Sequence, residues 1–138
     1  MQHICLHEKA ERFTFLWSTK AIGADLVMIH TTSIVDSGAI VCPGCKIWHF
    51  CHIGSGAYID ADTTIGQNCY IAPGVRVGKR VKIQNNVSVF NGVEIDDDCF
   101  IGPNVTFTNV KNPRSFIDRK AEFQATKIGF GSSLGANS

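Results

Sequence analysis

From position 29 to position 107 every sixth residue is aliphatic or phenylalanine: Ile29, Val35, Val41, Ile47, Ile53, Ile59, Ile65, Ile71, Val77, Ile83, Val89, Ile95, Ile101 and Phe107. An α-helix repeats at about 3.6 residues and an amphipathic strand at about 2, so a strict period of six belongs to neither. It predicts a parallel β-helix of six-residue units, three units to each coil, and therefore an all-β chain.

Counted from the aliphatic residue, the fifth position is small or β-branched throughout, as in Ser33, Ala39, Cys45, Cys51, Ala57, Thr63, Cys69 and Val75. Two inward positions per unit, one bulky and one compact, would fill a three-sided prism. The fourth position reads Thr32, Gly38, Gly44, Phe50, Gly56, Asp62, Asn68, Gly74, Arg80, Asn86, Gly92, Asp98 and Asn104. Most of these are Gly, Asn or Asp, which tolerate a left-handed backbone, so this position marks the corners. Residues eighteen apart should then stack at about 4.8 Å. That register sets Arg76, Lys79 and Arg80 beside Glu94, Asp97 and Asp98, where exposed ion pairs between coils are expected.

The period stops at Phe107 and resumes at Ile128 and Leu134, so residues 108–127 are expected to form one extruded loop. Long loops on rigid scaffolds concentrate function. This one carries Lys111, Arg114, Arg119, Lys120 and Lys127 against Asp118 and Glu122, which suits an anionic ligand. Residues 1–27 lack the repeat and read as a leader, weakly ordered or an upstream extension. Residues 28–138 form the β-helix domain, which stops inside a hexad and looks truncated at its C-terminus.

Composition narrows the setting. The chain has 44% hydrophobic and 18% charged residues and a formal charge of +1, so neither disorder nor general attraction to nucleic acid or an acidic membrane is expected. No apolar stretch approaches the ~20 residues of a membrane span, and the start has no signal-peptide core, which points to the cytoplasm. The six cysteines are then expected to stay reduced.

Three segments carry a resemblance: Ile47-Trp-His-Phe-Cys-His-Ile53, Val81-Lys-Ile-Gln-Asn-Asn-Val-Ser-Val89, and Phe107-Thr-Asn-Val-Lys-Asn-Pro-Arg-Ser115 followed by Asp118-Arg-Lys120. Together they resemble the hexapeptide-repeat sugar N-acetyltransferases that acetylate a 3-amino group on a nucleotide-linked sugar for surface polysaccharide, including lipopolysaccharide. The resemblance implies a left-handed β-helix, a cytoplasmic homotrimer with sites between subunits, and acetyl-CoA as acyl donor along the prism. It also implies that Asn109 sits at the reacting centre, that Arg114, Arg119 and Lys120 hold a sugar carboxylate or phosphate, and that Gln84 stands beside them. The sugar would be a 3-amino uronate or a 3-amino-deoxyhexose. Family members continue for several more coils that help to bind coenzyme A, so a non-catalytic β-helical fragment is one alternative and a sugar O-acetyltransferase another.

The residues bear on that choice. A hydroxyl needs a general base to attack a thioester, and residues 108–127 contain no His. A sugar amine attacks as its free base, which favours N-acetylation. Asn85 should project outward beside Gln84, and His49, in a column with Gln67 and Asn85, is a further candidate for substrate contact. His49 and His52 lack a third suitably spaced His, so no metal is expected. Cys42-Pro-Gly-Cys45 has the spacing of a redox dithiol, but Cys45 falls in the inward column, and Cys51 and Cys69 stack there one coil apart, all reading as buried thiols. His3-Ile-Cys-Leu-His7 receives no role.

Overall fold

The computed structural model describes residues 17–22 and 25–138. The His3 to His7 cluster lies outside the described residues, as does most of the 1–27 leader. Among the described residues, seventeen short strands and one 3-10 turn make up the regular structure, and the strands form three sheets that are the faces of a prism.

The first face stacks Asp25–His30, Lys46–Ile47, Thr64–Ile65, Lys82–Ile83, Phe100–Ile101 and Ser133–Leu134. Trp17–Ile22 adds an antiparallel strand at its start, with Trp17 opposite His30. The second face stacks Ile34–Val35, His52–Ile53, Tyr70–Ile71, Ser88–Val89 and Thr106–Phe107, and the third face Ile40–Val41, Tyr58–Ile59, Arg76–Val77, Val93–Ile95 and Thr126–Ile128. Every parallel pairing up to Phe107 joins residues eighteen apart, for example Met28 with Lys46 and Val89 with Phe107. The coil expected from the hexad period is the coil observed.

The corners follow the same register. Among the fourth-position residues all but Thr32 have positive φ, including Phe50 at 57° and Arg80 at 54°. Side chains with a Cβ resist that region by roughly 1 to 2 kcal/mol, which Asn and Asp offset best. Arg80 is held there by its guanidinium, with Nε and Nη2 each 2.7 Å from the Asp98 carboxylate. That contact lowers the Asp98 pKa and raises that of Arg80. The other two expected ion pairs do not form. Lys79 meets Asp97 through its backbone N–H, at 2.8 Å from Oδ1, and the Arg76 guanidinium lies 5.0 Å from the centre of the Tyr58 ring instead of turning to Glu94. Register alone brings Cα atoms together; the rotamer is decided by whichever neighbour gives the better contact, and the Tyr58 face is available.

Ile47, Ile53, Ile59, Ile65 and Ile71 are completely buried, each contributing about 1.5 to 3 kcal/mol by leaving water. The compact column is more than filler. Cys45, Cys51, Cys69 and Cys99 donate to the carbonyls of Asp60, Gly66, Gln84 and Gly129 at 2.9 to 3.1 Å. Thr63 does the same to Gly78 at 2.7 Å and accepts from the Val81 N–H at 3.1 Å. A small side chain with one hydrogen to give thus caps a corner carbonyl of the next coil. The described cysteines are free; burial pushes the Cys45 thiol up to about 11, and the neighbouring Cys51 thiol together with burial raises that of Cys69.

Candidate functional site

The period is interrupted at the corner between the second and third faces. After Thr106–Phe107 the chain leaves the prism and returns at Thr126–Ile128, where Glu94 pairs with Lys127 instead of a residue eighteen on. The return comes two residues earlier than the hexad count suggests, because Thr126 and Lys127 are already in the ladder. Lys127 is therefore a strand residue, with Nζ 3.5 Å from Asp96, and is not part of the loop's charge.

Asn109 closes the neck of this loop. Its Nδ2 donates to the Asn91 carbonyl at 3.2 Å, and its own carbonyl accepts from the Gln124 N–H at 2.9 Å. A carbonyl can only accept, so the amide nitrogen must face Asn91. Oδ1 is left without a hydrogen-bond partner among the described residues.

Beyond the neck the loop folds on itself around a cleft of about 470 Å³. Its walls are Val110, Pro113, Phe116, Ile117 and Phe123, with Arg114, Ser115, Asp118, Arg119 and Lys120 among them. A 3-10 turn over Lys120–Glu122 shapes one side, closed by the Glu122 N–H donating to the Arg119 carbonyl at 2.8 Å. Arg119 Nη1 lies 2.8 and 2.7 Å from the two Glu122 carboxylate oxygens. Asp118 accepts from the Lys120 N–H at 2.9 Å and stands 3.8 Å from its ammonium. Arg114 donates to the Pro113 carbonyl at 2.8 Å and has no carboxylate partner among the described residues. Three cations and apolar walls in one concavity suit a ligand with an anionic group and a less polar body.

The remaining expected contacts lie elsewhere. Gln84, Asn85 and His49 occupy the corner between the first and second faces, so the full width of the second face separates them from the loop within one chain. Asn85 is occupied structurally: its Oδ1 accepts from the Gln67 N–H at 3.0 Å, one coil back. His49 packs its ring 3.7 Å from that of buried His30, with Trp48 and Phe50 at 6.0 and 6.1 Å. Burial, then the neighbouring His49, lowers the His30 pKa.

Reading by residue type alone overlooked two features. Phe116, Ile117 and Phe123, three large apolar residues in a segment otherwise rich in charge, were the available signal for an apolar cleft. On the second face His52 Nε2 lies 3.1 Å from Asp36, and its ring is 5.6 Å from that of Tyr70. That pairing joins residues sixteen apart, an offset that only the coil register makes meaningful.

Residues 49–79 and 74–109 match the family model described as bacterial transferase hexapeptide, six repeats. No curated protein matches the chain. Among solved structures, a variant of GDP-perosamine N-acetyl transferase from Caulobacter crescentus, in complex with CoA and GDP-perosamine, is 24% identical with a TM-score of 0.46. That alignment covers 75% of this chain and 56% of the other. The acetyltransferase domain of PglB from Neisseria gonorrhoeae is 15% identical with a TM-score of 0.46, covering 95% of this chain and 62% of that domain. This chain thus spans little more than half the length of these proteins. At such values the likenesses carry nothing about its chemistry, which rests on its own residues.

Proposed function

We propose that this chain, which carries the hexapeptide repeats of bacterial transferases, is part of an acetyl-CoA-dependent N-acetyltransferase acting on a nucleotide-linked amino sugar. The observation that carries the reading is the loop: a basic, apolar-walled cleft hangs from a neck closed by Asn109 on an otherwise regular prism. In this reading Arg114, Arg119 and Lys120 hold the sugar's carboxylate or phosphate, and Asn109 faces the reacting groups. Assembly as a homotrimer in the cytoplasm, and use in surface polysaccharide synthesis, belong to the same proposal.

Acetyl-CoA supplies the acyl group as a thioester. The sugar nitrogen, as free amine, attacks the thioester carbonyl; the C–N bond forms, the C–S bond breaks, and the amine proton leaves with the thiolate as CoA thiol. In this reading Asn109 Oδ1 accepts from an amine N–H, and the second hydrogen of Nδ2 meets a developing oxyanion. No base is required of the loop. An O-acetyltransferase would need one, and the His52–Asp36 pair is the imidazole and carboxylate nearest to that role. It lies three coils from Asn109, roughly 14 Å along the prism, too far to act on the same atom within one chain.

Incubating the chain with acetyl-CoA and UDP- or dTDP-linked 3-amino sugars, and following free thiol together with acetylated sugar by mass, tests the reading. Thiol release that depends on the amino sugar is the expected result. Equal release with a 3-hydroxy sugar would favour O-acetylation, and none with any acceptor would leave a non-catalytic β-helix.

A further inference from the structure

Arg119 lines the loop cleft, whereas Glu122, which grips it, stands outside the lining. Both carboxylate oxygens of Glu122 fall on the single nitrogen Nη1. They leave Nη2 without a hydrogen-bond partner among the described residues, as a charged donor that can meet a carboxylate or phosphate. Nε, next to it, is buried with no hydrogen-bond partner among the described residues, so Nη2 is the guanidinium nitrogen left for a ligand. Glu122 is itself fixed, because its N–H closes the 3-10 turn on the Arg119 carbonyl. Arg119 is the more sheltered partner, its side chain 27% exposed against 57% for Glu122.

We infer that Glu122 is a positioning residue: it holds Arg119 from behind through Nη1, so that Nη2 is presented to an oxyanion of the ligand in the loop cleft. The inference builds on the reading of that cleft as the substrate's anion site, and it assigns a role to a carboxylate that charge counting alone would call unfavourable. The two accounts differ in sign. Removing a negative charge beside an anion site should tighten anion binding if only charge mattered. Loss of the clamp should weaken it, because an unrestrained Arg must be ordered on binding.

The test measures binding of inorganic pyrophosphate and of UDP-glucuronate by calorimetry to the full chain, to Glu122→Gln, to Arg119→Ala and to the double variant. Glu122→Gln is expected to weaken both ligands by about tenfold, the scale for losing one oriented charged contact. In the Arg119→Ala background the same change should cost nothing further, since Glu122 acts through that residue. Glu122→Asp should restore part of the loss. Unchanged or tighter binding by Glu122→Gln overturns the inference, as does additivity in the double variant or a wild-type chain that binds neither ligand. Binding of pyrophosphate but not UDP-glucuronate, with the same loss in Glu122→Gln, upholds the role of Glu122 and removes the nucleotide-sugar reading.

Discussion

Phe50 is the corner residue whose conformation its own surroundings justify least, and replacing it should stabilise the protein. It holds φ at 57° while the residue is 65% exposed, so little burial offsets the strain. The same column continues as Asn68, Asn86 and Asn104, and Asn68 Nδ2 donates to Asn86 Oδ1 at 3.0 Å. In Phe50→Asn the new amide can donate to Asn68 Oδ1 and extend that ladder. Relief of the left-handed backbone contributes roughly 1 kcal/mol, and an exposed amide hydrogen bond about 0.5 kcal/mol. Against these stands the loss of the ring's contact with His49, about 0.5 kcal/mol for a loose aromatic pair. The net of about 1 kcal/mol corresponds to a melting temperature higher by roughly 2 to 6 °C in a chain of this size. Calorimetric melting of wild type, Phe50→Asn and Phe50→Ala measures it. Alanine loses the ring but keeps a Cβ at positive φ, so it should not stabilise. An asparagine variant that melts at or below wild type, or an alanine variant that gains as much, would refute the strain argument.

Gly66→Ala should cost about 1 to 3 kcal/mol in denaturant melts, because its Cβ would stand 2.5 Å from Asn85 Oδ1 and 2.8 Å from the Asn85 nitrogen. His30 is predicted to make the first coil acid-sensitive. Its folded pKa is depressed below the ordinary 6.5, so the unfolded chain binds the proton first; stability is complete above that value and falls as pH drops below it. Unfolding midpoints at about pH 7.5 and about pH 5, compared with His30→Gln, check this, since the variant should lose that part of the slope. Asn109→Ala should lower turnover by roughly 10²-fold in the thiol-release assay, the scale for one oriented polar group at a reacting centre. It should also reduce stability by about 1 kcal/mol through the lost bond to Asn91, and unchanged turnover would remove Asn109 from the reaction.

The corners were legible because one backbone requirement acts at every sixth residue, and Gly38, Asp62 and Asn104 answer it in the same way. The buried isoleucines were legible for the same reason, since an inward position in a regular coil faces the same interior each time. The site was less so. Gln84 and Asn109 read as neighbours only through their motifs, and the prism places them at opposite edges of one face.

The sequence by itself determined the coil, its eighteen-residue register, the left-handed corners and the place where the loop departs, because each of these repeats and each is set by local backbone and burial preferences. Only the tertiary structure decided that Arg76 turns to Tyr58, that Asn85 caps Gln67, that His52 meets Asp36, and that Glu122 holds Arg119 at the cleft. Those contacts depend on which of several nearby partners offers the better geometry. Such a choice is made once, by packing in three dimensions, and leaves no period in the chain.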